Sequence, residues 1–209
     1  MAATLGVLVA GGAGVRLGLG VPKALARVGE LTLLERGVRT LQAVCDEVVV
    51  AAPAALVLPM PTAIGGPPAA RVADAPGAAG PLAGVVAGLA SRPYTIALVL
   101  GVDFPCVSAA LLEALRARLG DRAAVVPAPG GIPQPLVAAY APGARAILTA
   151  RLEAGERSLL AAVEALDAVR LDDAGLERLP GGLGSFLNVN TRDDLAEAER
   201  RRVAREAAR

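Results

Sequence analysis

The sequence predicts a three-layer α/β/α fold around a mostly parallel sheet. Two observations predict it. Short, continuous apolar runs recur along the chain, as in strands covered on both faces. Stretches with apolar residues at helical spacing lie between those runs, and such alternation is the pattern of a parallel α/β sheet. Length agrees: 209 residues, 54% of them hydrophobic, can bury a sizeable core. One domain over residues 1–209 is expected.

Each element has its own signal. Residues 4–10 are an apolar run ending in Gly11-Gly12, a buried strand entering a turn. Residues 31–44 set Leu34, Val38 and Leu41 at helical spacing, with Glu35, Arg36 and Arg39 between them. Residues 47–52 are a Val-rich strand. Residues 48–70 carry no charge, but Pro53, Pro59, Pro61, Pro67, Pro68 and Gly65-Gly66 exclude a membrane-spanning helix. A strand followed by an apolar meander is expected there. Residues 81–90 read as a helix of small apolar residues, and 95–102 as a central parallel strand. Ser108 caps a helix through Leu119. Residues 123–127 and 136–140 are strands; 144–154 and 159–166 are helices. Residues 168–171 and 186–189 are short strands. The Gly-rich stretch 175–184, with Pro180, is expected to be a loop. Thr191 caps a charged terminal helix through about Ala208.

Composition excludes several kinds of function. The chain has no histidine, so Ser-His-Asp and Cys-His catalysis and His-ligated zinc are excluded. Cys45 and Cys106 are too far apart for a disulfide framework or a metal knuckle. Any metal should be a hard cation held by oxygen, such as Mg²⁺. A net charge of +1, 2% aromatics and no Trp leave neither a basic nucleic-acid surface nor a base-stacking platform. The N-terminus lacks the basic region and cleavage site of a signal peptide, so a cytoplasmic chain without membrane attachment is expected.

Of 21 basic residues only Lys23 is lysine, and the only asparagines are Asn188 and Asn190. Where Arg serves everywhere else, a surviving Lys marks a place that needs a compact ammonium on a flexible stem. Two amides two residues apart mark a need for neutral polar groups. Chance survival is the alternative for each.

Three segments carry polar chemistry. Residues 10–23 read AGGAGVRLGLGVPK. Gly11, Gly12 and Gly14 let the backbone curl so that N–H groups face one point, which suits a phosphate chain; Arg16 and Lys23 add positive charge. The segment is not a Walker A loop, because Pro22 precedes Lys23 and Ala24 follows it. It is not a dinucleotide fingerprint either: the spacing is wrong, and the second strand ends Ala51-Ala52-Pro53 without a carboxylate. Asp103 follows the central apolar strand, at the edge where α/β sheets bind ligands, though it could merely cap a turn. In Phe186 to Thr191, FLNVNT, strand alternation would put Asn188 and Asn190 on one side; Asn190 could instead belong to a helix cap.

These segments resemble one family. Gly80 to Gly84, GPLAG, and residues 186–195, FLNVNTRDDL, are similar to segments of the molybdenum cofactor guanylyltransferases (MobA-like nucleotidyltransferases). Gln134-Pro135-Leu136 with Tyr140, and residues 154–158, also fit, nearly end to end and in the family's order. The resemblance implies the Rossmann-like nucleotidyltransferase fold. It implies GTP and molybdopterin as ligands and Mg²⁺ as cofactor, with molybdopterin-handling or molybdoenzyme-chaperone proteins as the class of protein partner. The terminal phosphate of molybdopterin would attack the α-phosphorus of GTP. Carried over residue by residue, Ala10, Gly11, Gly12 and Lys23 would hold the triphosphate, with Arg16, Lys23 and Asp103 catalytic. Asp103 would bind Mg²⁺, Asp74 would contact the nucleotide, and Asn188 and Asn190 would face the pterin. By analogy with wider nucleotidyltransferases, Asn190 could also touch the metal. The chain departs from the family at Pro22, where Asp is common, and at Ala51-Ala52-Pro53, where an Asn often meets the nucleotide. The alternatives are cytidylyl transfer to molybdopterin or a methylerythritol phosphate, a catalytically silent NTP-binding accessory protein, and a purely structural partner.

Overall fold

The computed structural model describes residues 3–11, 18, 20–61, 68–74 and 80–207. Among them, seven strands form one sheet. These are β1 (Thr4–Val9), β4 (Glu47–Ala52), β5 (Ala70–Ala73), β6 (Ile96–Gly101), β7 (Ala124–Pro127), β8 (Val137–Tyr140) and β9 (Ala168–Leu171). Their order across the sheet is β5-β4-β1-β6-β8-β7-β9. A two-strand antiparallel hairpin, β2 (Arg27–Val28) with β3 (Leu31–Thr32), stands apart from the sheet. Only β8 runs against its neighbours; the other pairings in the sheet are parallel.

Alternation along β1 explains the layers. Leu5, Val7 and Val9 point into one cluster with Leu82, Val85 and Leu89 of α2 (Pro81–Ala90) and Leu148 of α4 (Pro142–Glu153). Leu8 and Ala10 point into the other, with Leu34, Val38 and Leu41 of α1 (Leu33–Gln42) and Leu111, Leu112 and Leu115 of α3 (Ala109–Arg116). A strand buried on both faces cannot show polar alternation, which is why the run is apolar throughout. α5 (Leu159–Val163) joins the first layer; α6 (Asp173–Glu177) and α7 (Arg192–Ala207) join the second. α1 starts at a capping box in which Thr32 and Glu35 satisfy each other's backbone N–H.

The mostly parallel sheet and the helix–sheet–helix layering agree with expectation. Several boundaries do not. Residues 186–189 are not a strand: Gly182–Phe186 is a 3-10 turn, and Val189 N–H donates to Asp103 O at 2.8 Å rather than to a ladder. The stretch 175–184 is not simply a loop, because Asp172 caps α6 by accepting from Gly175 N–H at 2.8 Å. Helix starts at 31 and 144 move to Leu33 and Pro142, and the helix ends at 119 and 166 retreat to Arg116 and Val163. Strand β5 lies in the stretch read as a meander. The last expected helical residue, Ala208, lies outside the described residues. No described helix is long and apolar enough to cross a membrane.

Register positions the site. Val9 pairs with Ala51 and Gly101, so β1, β4 and β6 end together, and β5 ends beside β4. Because β8 is antiparallel, its beginning lies at the same edge, with Val137 opposite Leu100. The loops carrying Gly11, Pro53, Asp74, Asp103 and Leu136 therefore all leave one edge.

α2 lies close on β1. A Cβ on Gly88 would press into Val7, a stiff β-branched residue of the central strand. Gly88→Ala is expected to destabilise the protein by up to about 2 kcal/mol, an overpacking cost of about 1–3 being set against a helix-propensity gain of about 1. Urea denaturation midpoints at constant m-value measure this.

Candidate active site

The strand ends build the site one backbone bond at a time. Val102 N–H donates to Val9 O at 3.0 Å, continuing the β1–β6 ladder one residue past the strand. Phe104 N–H donates back to Gly101 O at 3.1 Å, and the Phe104 ring is buried. This turn holds Asp103 at the sheet edge. Asp103 O then accepts from Val189 N–H, which draws the Asn188–Asn190 segment across.

Lys23 arrives from another direction. Pro22, at φ −52°, opens a 3-10 turn over Lys23–Leu25, and Ala24 beside it is buried. The ammonium of Lys23 donates to Asn190 Oδ1 at 2.6 Å and lies 3.7 Å from Asp103 Oδ2. Asn190 Nδ2 donates to Asn188 Oδ1 at 2.7 Å. The side chains of Lys23 and Asp103 are 13% and 18% exposed, so this ion pair is largely desolvated. Burial pushes the Asp103 carboxyl above the usual carboxylate range; Lys23 beside it and a hydrogen bond with Asn188 pull it back.

Asn190 is itself held. Asp194 Oδ2 accepts from the N–H groups of both Asn190 and Thr191, at 2.9 and 2.8 Å, while Thr191 Oγ1 accepts from Asp194 N–H. Those backbone bonds lower the Asp194 carboxyl below its ordinary range. A helix cap and an amide of the candidate site thus share one carboxylate.

Two cavities open at this edge. One, of about 360 Å³, is lined by Gly11, Pro53, Asp74, Gly80, Asp103 and Leu136 among others. Asp74 Oδ1 is buried there without a hydrogen-bond partner among the described residues, and burial raises its carboxyl. The GPLAG glycines have distinct causes. Gly80, at φ +95°, turns the chain into α2 in a conformation L side chains rarely adopt. A Cβ on Gly84 would stand 3.1 Å from Val9 Cγ1 and 3.6 Å from the Asp74 carboxylate. The second cavity, of about 230 Å³, is lined by Pro81, Phe104, Leu136, Arg157, Ser158 and Asn188 among others. Pro81 and Leu136 line both.

The structure brings Lys23, Asp103, Asn188 and Asn190 together, and it places Gly11 and Asp74 on the first cavity. Ala10 is buried beside it, its N–H on Ala51 O at 2.8 Å. Gly12, Gly14 and Arg16 lie outside the described residues. The pairing of Asn188 with Asn190 comes from their hydrogen bond and not from strand alternation. Three further residues lacked an assigned role from sequence. Tyr140, fully buried, donates to Pro135 O at 2.8 Å and so fixes the loop carrying Leu136. Arg157 and Ser158 line the second cavity; in the sequence, residues 154–158 stand out only as similar to a family segment.

The sequence matches the MobA-like NTP transferase domain over residues 6–169. The chain belongs to that family. A Chloroflexus aggregans protein named "Probable molybdenum cofactor guanylyltransferase" is 38% identical over 198 residues, 91% of this chain and 90% of the relative. Two solved structures share the fold. Molybdopterin-guanine dinucleotide biosynthesis protein A from Archaeoglobus fulgidus superposes with a TM-score of 0.76 at 24% identity, covering 96% of this chain and 99% of that one. The 2-C-methyl-D-erythritol 4-phosphate cytidylyltransferase of Thermus thermophilus does so at 0.68 and 21%, covering 96% and 98%. This MobA-like chain is a nucleotidyltransferase whose sheet edge carries the Lys23–Asp103–Asn190 constellation.

The shared cap gives a test. Asp194→Ala is expected to cost about 1 kcal/mol of stability at pH 7, the usual loss of a capping group. The sign follows from the lowered carboxyl: its contribution is present above the ordinary carboxylate pKa of about 4 and is lost as pH falls through the folded value. The gap between Asp194→Ala and the unmodified protein in urea denaturation should therefore close in acid.

Proposed function

We propose that this chain transfers GMP from GTP to the terminal phosphate of molybdopterin, releasing pyrophosphate. The observation that carries this is the meeting of Lys23, Asp103 and Asn190 at a sheet edge that bears two cavities, Asp103 lining one and Asn188 the other. The cavity containing Asp74 takes the nucleotide, and the one containing Asn188 and Arg157 takes the acceptor. An oxygen of the acceptor phosphate forms a bond to the α-phosphorus, and the bond from that phosphorus to the bridging oxygen breaks. The leaving pyrophosphate carries off the electron pair. The attacking oxygen is already ionised near pH 7, so a chain without histidine lacks nothing the step needs.

What the protein contributes is alignment and charge. Lys23 leaves its hydrogen bond on Asn190 and its ion pair with Asp103 to meet the phosphate chain, with Ala10, Gly11, Gly12 and Arg16 as the rest of that cradle. Asn188 and Asn190 offer amide groups on the acceptor side. The unsatisfied Asp74 oxygen is an acceptor for the nucleotide. A carboxylate pairs well with the adjacent N–H donors of guanine, whereas cytosine sets one amino group beside an acceptor, and this favours GTP over CTP.

The residues fit Mg²⁺. Asp103 is a hard oxygen donor, and no group of three His, Cys, Asp or Glu encloses a cation among the described residues. Asp103 would hold the ion, with phosphate oxygens and water completing its shell. Bound Mg²⁺ neutralises phosphate charge.

Lys23→Ala and Asp103→Asn are each expected to lower turnover at least about a hundredfold: Lys23→Ala loses one donor to a developing oxyanion, about 2.7–4 kcal/mol, and Asp103→Asn loses the charged oxygen that would hold Mg²⁺. Pyrophosphate release from GTP with molybdopterin, with and without Mg²⁺, measures it, and far-UV circular dichroism checks that the fold survives. Near-normal rates in either variant refute the assignment. In the same assay GTP should outrun CTP and UTP. Nucleotide binding without pyrophosphate release would instead support an accessory protein. Asp74→Asn should raise KM for GTP about ten- to hundredfold with kcat less affected, as for a lost hydrogen bond to a charged group.

A further inference from the structure

A second concave site lies on the opposite helical layer, away from both cavities described above. It has a volume of about 200 Å³ and sits between α1, the turn after Asp103 and α7. Arg36, Arg202 and Arg205 line it, with Thr40, Cys106 and a single carboxylate, Glu206. The lining therefore carries a surplus of positive charge.

The three guanidinium groups are not equally satisfied. Arg202 is occupied by Glu199 and Glu206. Arg205 donates to Cys106 O at 2.8 Å. Arg36 donates through Nη2 to Val28 O at 2.6 Å, but its Nε is buried and has no hydrogen-bond partner among the described residues. A buried cationic donor left without an acceptor carries a desolvation penalty that a solvated one does not. Burial and the nearby Arg202 both disfavour the charged form of Arg36, and Cys106, Glu199 and Glu206 only partly offset them.

We propose that this pocket binds a small tetrahedral oxyanion of the phosphate class, held by Arg36 and Arg205 with the Thr40 hydroxyl as a further donor. Guanidinium groups match such oxygens in geometry as well as charge. The volume suits a compact ion and not a nucleotide. Glu199 and Glu206, both engaged by Arg202 nearby, oppose a longer acidic segment. The site's position gives binding a consequence. Arg205 is tied to the turn two residues beyond Phe104, and Glu199 accepts from Gly29 N–H at 2.6 Å on the hairpin that follows Lys23. An ion joining Arg36 to Arg205 would brace α1 and α7 behind the Lys23–Asp103 pair.

The test is isothermal titration of the purified chain with inorganic phosphate and, separately, pyrophosphate. It is run in a Lys23→Ala background so that the proposed catalytic cradle does not contribute. One-to-one binding is expected in that background, weakened at least tenfold by Arg36→Gln and by Arg205→Gln. Tighter binding of pyrophosphate would identify the reaction's own product as the ion; tighter binding of phosphate would identify a cellular oxyanion. Arg36→Gln removes the bond to Val28 O, so Arg205→Gln, which leaves α1 untouched, guards against a folding defect. Thermal melts of both variants without the ion confirm that they are folded. Absence of binding in the Lys23→Ala background, or affinity unchanged by both arginine substitutions, overturns the proposal. A glutamate-rich peptide that binds where phosphate does not also overturns it.

Discussion

The Lys23 ammonium is the point on which the site depends. It is held by groups from two distant segments, the amide of Asn190 and the carboxylate of Asp103, and its own turn comes from a third. None of these segments carries the site alone. Asp103 in its largely buried place would be an expensive isolated charge, because taking a carboxylate out of water costs several kcal/mol unless a partner compensates. Lys23 and Asn188 compensate it. The same desolvation makes the arrangement useful. A cation and an acceptor group kept from bulk water act on a phosphate chain more strongly than they would on an open surface.

The sheet turns that chemistry into geometry. Parallel strands β1, β4 and β6 end in register, and the antiparallel β8 begins where they end. One reversed strand thereby adds a loop to an edge that parallel strands alone would have to fill with their exits. That loop, pinned by the Tyr140 hydroxyl, supplies Leu136, which lines both cavities. The division of this edge into two cavities thus follows from strand direction.

Much of this was legible in the sequence, for identifiable reasons. β1, β4 and β6 are buried on both faces and so are written as unbroken apolar runs. α2 falls on its expected residues because small side chains suit close packing on β1, and Gly80-Pro81 marks its start. Lys23, Asn188 and Asn190 stood out because a chain that uses Arg nearly everywhere retained them. β5 was missed because Ala70–Ala73 is only half buried on one face and exposed on the other, and alanines give no contrast. Residues 186–189 were misread because an apolar, alternating segment can satisfy its N–H groups on a turn as well as on a strand. Strand direction was beyond reach altogether: β8 has the same kind of sequence as a parallel strand.

The fold alone does not select the nucleotide. A cytidylyltransferase superposes over nearly the whole chain, so whatever distinguishes bases must lie in individual side chains and loops. In this protein the candidate is Asp74, whose unsatisfied oxygen stands in the first cavity beside Gly84. The position is consistent with how such sites reject the wrong ligand. A buried acceptor left unpaired penalises a base without a donor there more than a good contact rewards the right one. A Cβ on Gly84 would be tight against Val9 at 3.1 Å and would reach ordinary contact with that carboxylate at 3.6 Å. If Asp74 reads the base as proposed, packing of α2 on β1 and recognition of the nucleotide lie side by side at this glycine.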